Sequence, residues 1–391
     1  MLSYKKYINS HFLKKDFFAS LVVWLVALPL CLGIAQGSDA DPFAGIIAGI
    51  IGGVVVTFFS GSKFGVSGPA AGLITIVVAA IAELGYEAFL LAVIFSGIIQ
   101  FLLGVFRLGV VGYFIPISVI HGMLAAIGFI LILKQIPHAM GVDTNPEGDF
   151  AFAQSDGQNT FSEIMYSFEN FALGSIIIFL ISIITLLIWE LPIIKANKTL
   201  SVFPISLVVV VLGALLNILF DTFSDTLILT NNHLVNLPDA LSTGDYGNLL
   251  VFPDFTAFNN PQIYIYGFTI AIVGSVETLL SLEATDKLDP DKNISPTNKE
   301  LKAQGIGNCL SGLIGGLPIT MVIVRSSANI NSFAKSKMSS IFHGILLFIS
   351  VFVFPSLLEK IPLASLAAIL VVIGFKLIKV KKIVNYFKTD I

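Results

Sequence analysis

Residues 44–72 read AGIIAGIIGGVVVTFFSGSKFGVSGPAAG, and residues 307–330 read GNCLSGLIGGLPITMVIVRSSANI. The two stretches share a plan. Each is a run of small residues ending in Gly-Gly, then a β-like apolar stretch (Val54 to Val66, Leu317 to Val324), then a short helix start. The first start is Ser67-Gly68-Pro69-Ala70-Ala71-Gly72, and the second is Arg325-Ser326-Ser327-Ala328-Asn329. The apolar segments that follow, about 69–83 and 325–337, are too short for a bilayer, which takes about 20 residues. Half-helices are the natural reading, because broken helices are tolerated in lipid only where the freed backbone is buried in protein or lines a wet cavity.

Around these stretches the chain is membrane throughout. Of 391 residues, 55% are hydrophobic and 12% charged, with a mean hydropathy of +0.91; soluble domains carry about 25% charged residues. A net charge of -3 and two cysteines, Cys31 and Cys309, both in apolar surroundings, exclude disorder, a nucleic-acid binder and a disulfide scaffold. Lys5, Lys6, Lys14 and Lys15 precede an apolar run from Phe17 to Ala35 that is longer than a secretory h-region and lacks a small-residue cleavage pattern after it. Spans are predicted at about 17–36, 43–59, 69–83, 88–106, 113–134, 170–190, 202–220, 263–281, 303–315, 325–337, 339–356 and 362–378, an all-α integral membrane bundle.

Charge sets the orientation. The first four lysines, Lys63, Arg107, Lys195 and Lys198 alternate with the spans as cytoplasmic positions should, and Lys335, Lys337, Lys376, Lys379, Lys381 and Lys382 return to that side. The interval between Lys134 and Lys195 has no Lys or Arg yet holds Asp143, Glu147, Asp149, Asp156, Glu163 and Glu169, and Thr199 to Asp286 is also free of Lys and Arg, so both contain external loops. The N-terminus is therefore cytoplasmic. Span one matches span eight and span three matches span ten; the first pair runs in opposite directions, the sign of an inverted repeat.

Pro69 suits the first turn of a half-helix, with Ser67 as its N-cap. Arg325, one of two arginines, stands at the matching place beside Ser326 and Ser327, near bilayer depth, where an uncompensated charge costs several kcal/mol. Two opposed helix N-termini and a guanidinium make an anion site; a structural salt bridge is the alternative. Glu277 is one acid in an apolar run, with Ser281 a turn later. It is a candidate proton carrier, a Na⁺ ligand with Thr278 and Ser281, or the partner of Arg325. His121 and His343 read as packing histidines, while His11, His138 and His233 sit at ends or in loops. Asp286, Asp289 and Asp291 alternate with Lys287 and Lys292 as a solvated face. There is no metal spacing, no phosphate loop and no nucleophile–base pair, so neither an ATP-driven pump, a cofactor nor an enzyme is expected.

Ala27-Leu-Pro-Leu30, Gly65-Val-Ser-Gly-Pro-Ala-Ala-Gly72, Ser275-Val-Glu-Thr-Leu-Leu-Ser281, Glu283-Ala-Thr-Asp-Lys-Leu288, Ile323-Val-Arg-Ser-Ser-Ala-Asn-Ile330 and Ile361-Pro-Leu-Ala-Ser-Leu-Ala-Ala-Ile369 together resemble the SulP (SLC26-type) inorganic anion transporters. The resemblance runs over essentially the whole chain and is strongest to bacterial sulfate or bicarbonate members. It implies a seven-plus-seven inverted-repeat fold, a homodimer in the cell (inner) membrane, and an elevator-like step of a core against a gate. The core would be 1–107 and 263–356, the gate 108–222 and 357–391, with 223–262 an external loop. Carried over, Ser67, Gly68, Pro69, Ala70, Ala71, Gly72, Arg325, Ser326, Ser327 and Ala328 line the anion site, Pro29 and Leu30 wall it, and Glu277, with Thr278 and Ser281, is the coupling position for Na⁺ or H⁺.

That family has fourteen spans, usually followed by a STAS domain, whereas about twelve are visible here before Ile391. A fragment or a shortened gene product is expected. Phe333-Ala334 stands where similar proteins commonly have small residues. The functional expectation is secondary transport of sulfate or bicarbonate; an uncoupled channel or exchanger and a non-transporting membrane protein are the alternatives.

Overall fold

The computed structural model describes residues 10–110, 117–143, 159–191, 205–223, 227–235, 237 and 250–378. Helix α1 (Ser10–Gly37) passes through Pro29 without ending. Helix α2 (Pro42–Phe59) starts with proline at its first turn and the Asp41 carboxylate accepting the Phe43 amide at 2.8 Å, as helix starts favour. The small residues of the quoted run have a packing purpose. Side chains at Gly45 and Gly49 would overlap Cys31 of α1, so the two helices come close because glycine stands there.

Strand β1 (Ser67–Pro69) follows, then half-helix α3 (Ile74–Leu84) entered by a 3-10 turn at Ala71–Leu73, and α4 (Tyr86–Val105). The intervening elements are α5 (Ile117–Met140), α6 (Thr160–Glu169), α7 (Leu173–Trp189) and α8 (Ile205–Phe223). The second half then repeats the first. Its elements are α9 (Pro261–Leu288), α10 (Thr297–Leu313), strand β2 (Ile319–Met321), half-helix α11 (Ile323–Asn331), α12 (Met338–Val353) and, after a short turn at Pro355–Leu358, α13 (Leu363–Ile378). Helices α1 and α9 both have 28 residues.

The strands pair antiparallel, with Ser67 opposite Met321, Gly68 opposite Thr320 and Pro69 opposite Ile319. Because each strand feeds its own half-helix, this pairing sends α3 and α11 off opposite ends of one ribbon in opposite directions. The inverted repeat is thus closed by six residues.

A two-stranded ribbon within a bilayer leaves outward N–H and C=O groups that water cannot serve. The Val322 amide donates to the Val66 carbonyl at 2.9 Å, so by the alternation of an antiparallel ladder Ile319 and Met321 turn their backbone groups outward. Side chains meet them there. Asn308 of α10 donates Nδ2 to the Ile319 carbonyl at 3.0 Å and accepts the Ile319 amide at 2.6 Å, and the Met321 amide donates to Thr278 Oγ1 at 3.3 Å. Asn308 belongs to a buried polar stripe at helical spacing. Glu300 accepts from Ser60 and from Gln304 at 2.9 Å, Gln304 donates to Ser67 Oγ at 2.8 Å, and Ser311 donates to the Leu317 carbonyl at 2.6 Å.

Several sequence expectations are corrected. Val54 to Phe59 is helix, not β-like: the chain widens into a π-helical turn at Gly52–Val56, with Thr57 Oγ1 donating to the Gly52 carbonyl five residues back at 3.2 Å. Ser67 is not an N-cap and Pro69 is not in a first helical turn, because the pairing with β2 and the Gln304 contact hold both in a strand. Helix α10 begins at Thr297 rather than 303, and α11 ends at Asn331 rather than 337. The chain then turns through Phe333, at φ 62° and outwardly exposed. Helix α6, which no predicted span covers, is bent 113° from α7. Asp289 is no solvated residue: it is buried and accepts from the Asp291 and Asn293 amides, while Asp286 accepts from Ser295. His11 and His121, the side chains of which lie outside the described residues, and the terminal lysines at 379, 381 and 382 are not placed.

Among the described residues four helices (Phe12–Gly37, Pro42–Phe59, Tyr86–Val105, Pro261–Leu288) are individually long and apolar enough to cross a membrane, and the bent α6–α7 pair makes a fifth.

Replacing Asn308 with Leu leaves two buried backbone groups of Ile319 without partners, a cost of roughly 2–6 kcal/mol from about 1–3 for each. The thermal unfolding midpoint in detergent is expected to fall by several degrees. An unchanged midpoint would remove Asn308 from this role.

Candidate functional site

Side chains alternate across a ribbon, and the two faces here differ in kind. Ser67, Pro69, Ile319 and Met321 form the supporting face: Ser67 is bonded to Gln304, a side chain at Gly65 would press on the Met321 methyl, and Ile319 lies over Gly307. That face rests on α2 and α10. Gly68 and Thr320 form the other face, toward α1, α9 and α11. A Cβ at Gly68 would overlap the Arg325 guanidinium, and one at Gly274 of α9 would lie 3.4 Å from the Thr320 methyl.

Arg325 is the third residue of α11 and is 0% exposed. None of its Nε, Nη1 and Nη2 atoms closes a hydrogen bond of normal geometry, the Cys31 thiol being the side-chain group within reach, and no described carboxylate forms an ion pair with it. Its neighbours are the Gly68 backbone, the Cys31 thiol of α1 and the His343 ring of α12. His343 meets the Ser340 carbonyl through Nδ1 at 3.1 Å; a carbonyl only accepts, so Nδ1 carries the hydrogen, and Nε2 is buried without a partner. Half-helix α11 has no side-chain cap. Its first amides add the positive end of a dipole to the same region.

Glu277 of α9 faces a different neighbour. Its carboxylate lies against Gly72 at the start of α3, where a Cβ would sit 3.0 Å from Oε2 and 3.3 Å from Oε1. The Gly72 amide and the Thr320 hydroxyl point toward it. Neither Oε2 nor the Thr320 hydroxyl closes a hydrogen bond at normal geometry. The α3 end also lacks a side-chain cap, and Gly72 is exposed and Ala71 half-buried, so this side of the site is open. The Glu277–Arg325 salt bridge, one of the readings of the sequence, is not formed.

The remaining expected residues divide. Pro29 and Leu30 are buried in α1, and the α1 side chain that faces Arg325 is Cys31, whose surroundings are therefore not simply apolar. Ser326 Oγ donates to the Val322 carbonyl and accepts the Val66 amide, and Ser327 Oγ donates to the Val324 carbonyl, so both hydroxyls serve the backbone. Ala70 and Ala328 are buried, Thr278 is bonded to the Met321 amide, and Ser281 is buried one turn below Glu277. Thr320, Gln304 and Asn308 were not singled out by sequence reasoning, which placed Cys31 in apolar surroundings and took His343 as a packing histidine. The i, i+4, i+8 spacing of Glu300, Gln304 and Asn308 was the available signal for Gln304 and Asn308.

Two buried carboxylates brace the ends. Asp16 of α1 is 0% exposed and accepts from the Lys335 and Ser336 amides at 2.6 and 2.9 Å, tying α1 to the chain leaving α11. On the opposite side, Asp143 accepts from His138 at 2.6 Å and His233 at 2.8 Å. Burial alone would raise the Asp143 carboxyl, but the hydrogen bonds and charge of the two histidines outweigh it and hold the group below its ordinary value.

The model of the Sulfate permease family matches residues 13–391, and the chain belongs to that family. It is 30% identical over 383 residues to YvdB of Bacillus subtilis, which carries the name of a sulfate transporter, covering 96% of this chain and 66% of that protein. It is 26% identical over 381 residues to the bicarbonate transporter BicA of a Picosynechococcus strain, covering 94% of this chain and 62% of that one. The chain thus spans under two thirds of either relative's length. Its fold superposes on the transmembrane domain of a cyanobacterium bicarbonate transporter BicA with a TM-score of 0.63 and 25% identity, covering 95% of this chain and 90% of that domain. For SLC26A9 the TM-score is 0.62 at 19% identity, covering 96% of this chain and 59% of that chain, which shows a shared fold.

The depressed Asp143 value fixes a pH dependence. Its contribution is present above the ordinary aspartate value, about 3.9, and is lost as pH falls through the folded value. The unfolding midpoint of Asp143→Asn is expected to lie below that of the parent at neutral pH, and the gap is expected to close in strong acid. A gap that persists unchanged would contradict this assignment.

Proposed function

We propose that this chain carries a small inorganic oxyanion, sulfate or bicarbonate, across the cell (inner) membrane by secondary active transport. The observation that carries the reading is Arg325: a guanidinium with 0% exposure, no well-formed hydrogen bond at any of its three nitrogens and no carboxylate partner among the described residues. Burying an unpaired charge costs several kcal/mol, and that cost is recovered when an anion arrives with its own charge and acceptor oxygens. The start of α11 and the open start of α3 add amide donors, which favour anions at a helix N-terminus. The names of the relatives agree in substrate class.

Glu277 is the proposed coupling group. Its carboxylate occupies the Gly72 end of α3, so an ionised Glu277 repels an incoming anion, and binding H⁺ or Na⁺ removes that repulsion. Residues 1–107 and 263–356 form the proposed moving core, the elements in between and α13 belong to the gate, and the step is elevator-like. A homodimer with cytoplasmic N-termini is the proposed assembly. The chemistry needed is binding and movement, not bond breaking, so an enzymatic role is not part of the reading.

In proteoliposomes, radiolabelled sulfate or bicarbonate uptake is expected to fall at least tenfold in Arg325→Ala. Glu277→Gln is expected to retain uptake but lose its response to H⁺ and Na⁺ gradients. Unchanged uptake in both variants would defeat the proposal, and flux in the parent that ignores both gradients would favour an uncoupled channel or exchanger on the same fold.

A further inference from the structure

From the ribbon we infer that Thr320 is a ligand of the transported anion and the residue through which the state of Glu277 controls anion affinity; this rests on the transport reading above. Thr320 sits opposite Gly68, which has no side chain, so on the site face of the β1–β2 pairs its hydroxyl is the polar group that projects. It is 0% exposed, and although the Glu277 carboxylate lies beside it, its Oγ1 closes no hydrogen bond of normal geometry. Native structures rarely leave a buried hydroxyl in that condition, and such a group points to a partner that comes and goes.

Its position defines two partners. On one side is the Glu277 carboxylate, toward which the hydroxyl points. Across the ribbon is Gly68, with the Arg325 guanidinium against it. A hydroxyl has one hydrogen to donate. While Glu277 is ionised, that hydrogen is drawn to the carboxylate. Once Glu277 holds a proton or a cation, the hydrogen turns to an anion held by Arg325. Anion and coupling ion thereby favour one another without touching, and the link is one rotatable bond.

The charged and titratable groups around this point are few. Helix α9 contributes Glu277, α11 contributes Arg325, and Cys31 of α1 and His343 of α12 flank the far side of that guanidinium. Helix α4 contributes the uncharged Gln100, which lies near Gly274, and β1 and α3 present backbone at Gly68 and Gly72.

The test compares the parent chain, Thr320→Val and Thr320→Ser in proteoliposomes, measuring KM for sulfate and for bicarbonate across a range of pH and Na⁺ concentration. Valine keeps the shape and removes the hydroxyl; serine keeps the hydroxyl. In the parent, KM is expected to fall as pH is lowered or Na⁺ is raised. Thr320→Val is expected to raise KM by roughly 10- to 100-fold under the favourable condition, the loss of a hydrogen bond to a charged group, and to flatten the dependence. Thr320→Ser is expected to follow the parent. A Thr320→Val protein with the parent's KM and the parent's dependence overturns the inference, as does a Thr320→Ser protein that behaves like valine. Should the valine variant not insert stably, Thr320→Ala carries the same comparison. If the parent moves neither anion, the transport reading falls and this inference with it; if Arg325→Ala abolishes uptake while Thr320→Val matches the parent, only the inference about Thr320 falls.

Discussion

A guanidinium without a counter-charge inside a membrane protein is the constraint on which the rest of this structure depends. Arg325 is sealed from solvent, and among the described residues no acid forms an ion pair with it. The fold could have neutralised it with Glu277, the acid in the same part of the bundle, but that carboxylate is held against Gly72 at the start of the opposing half-helix. Keeping the two charges apart costs stability, because each loses hydration without gaining the other. In return the site is left with an unmatched positive group on α11 and a negative one at α3, which is the separation that the proposed joint binding of an anion and a coupling ion requires.

Holding those charges apart is the work of the ribbon and its props. Six residues from opposite halves of the chain fix where α3 and α11 begin. Strands this short would not survive on their own ladder. They persist because α10 and α9 supply side chains in the places of missing neighbouring strands, through Asn308 and Thr278, and because Gln304 fastens Ser67. Gly68 is needed at the crossing, where any Cβ would strike the guanidinium. A chain of contacts therefore links α10 to the geometry of the charged centre.

Much of this was legible in the sequence, and the part that was not has identifiable causes. Hydropathy gave the membrane class, which follows from averages over many residues, and the likeness of residues 44–53 to 307–316 together with the placement of Lys and Arg gave the inverted repeat. The interruption before each half-helix was visible as Gly-Gly followed by a break in helical pattern. The strand identity of Ser67-Gly68-Pro69 was not, because Ser before Pro is also a helix-start signal locally, and what selects the strand is a partner about 250 residues away. Thr320 was hidden for the same reason: within an apolar stretch, only the register against Gly68 shows which way it faces. Cys31 gained meaning from the arginine that reaches it from another helix. Two buried charges of opposite sign suggested a pair, and sequence carries no information on the rotations that set them against different neighbours.

The central claim concerns what Arg325 is left unpaired for, and the most direct measurement is an experimental density map of the protein prepared with selenate, and with bicarbonate, at saturating concentration. The expected result is oxyanion density for one or both within hydrogen-bond distance of the Arg325 guanidinium, on the Gly68–Thr320 face of the ribbon, with Glu277 still turned to Gly72. Density confined to the protein surface, with Arg325 paired to Glu277 in the occupied preparation, would contradict the account.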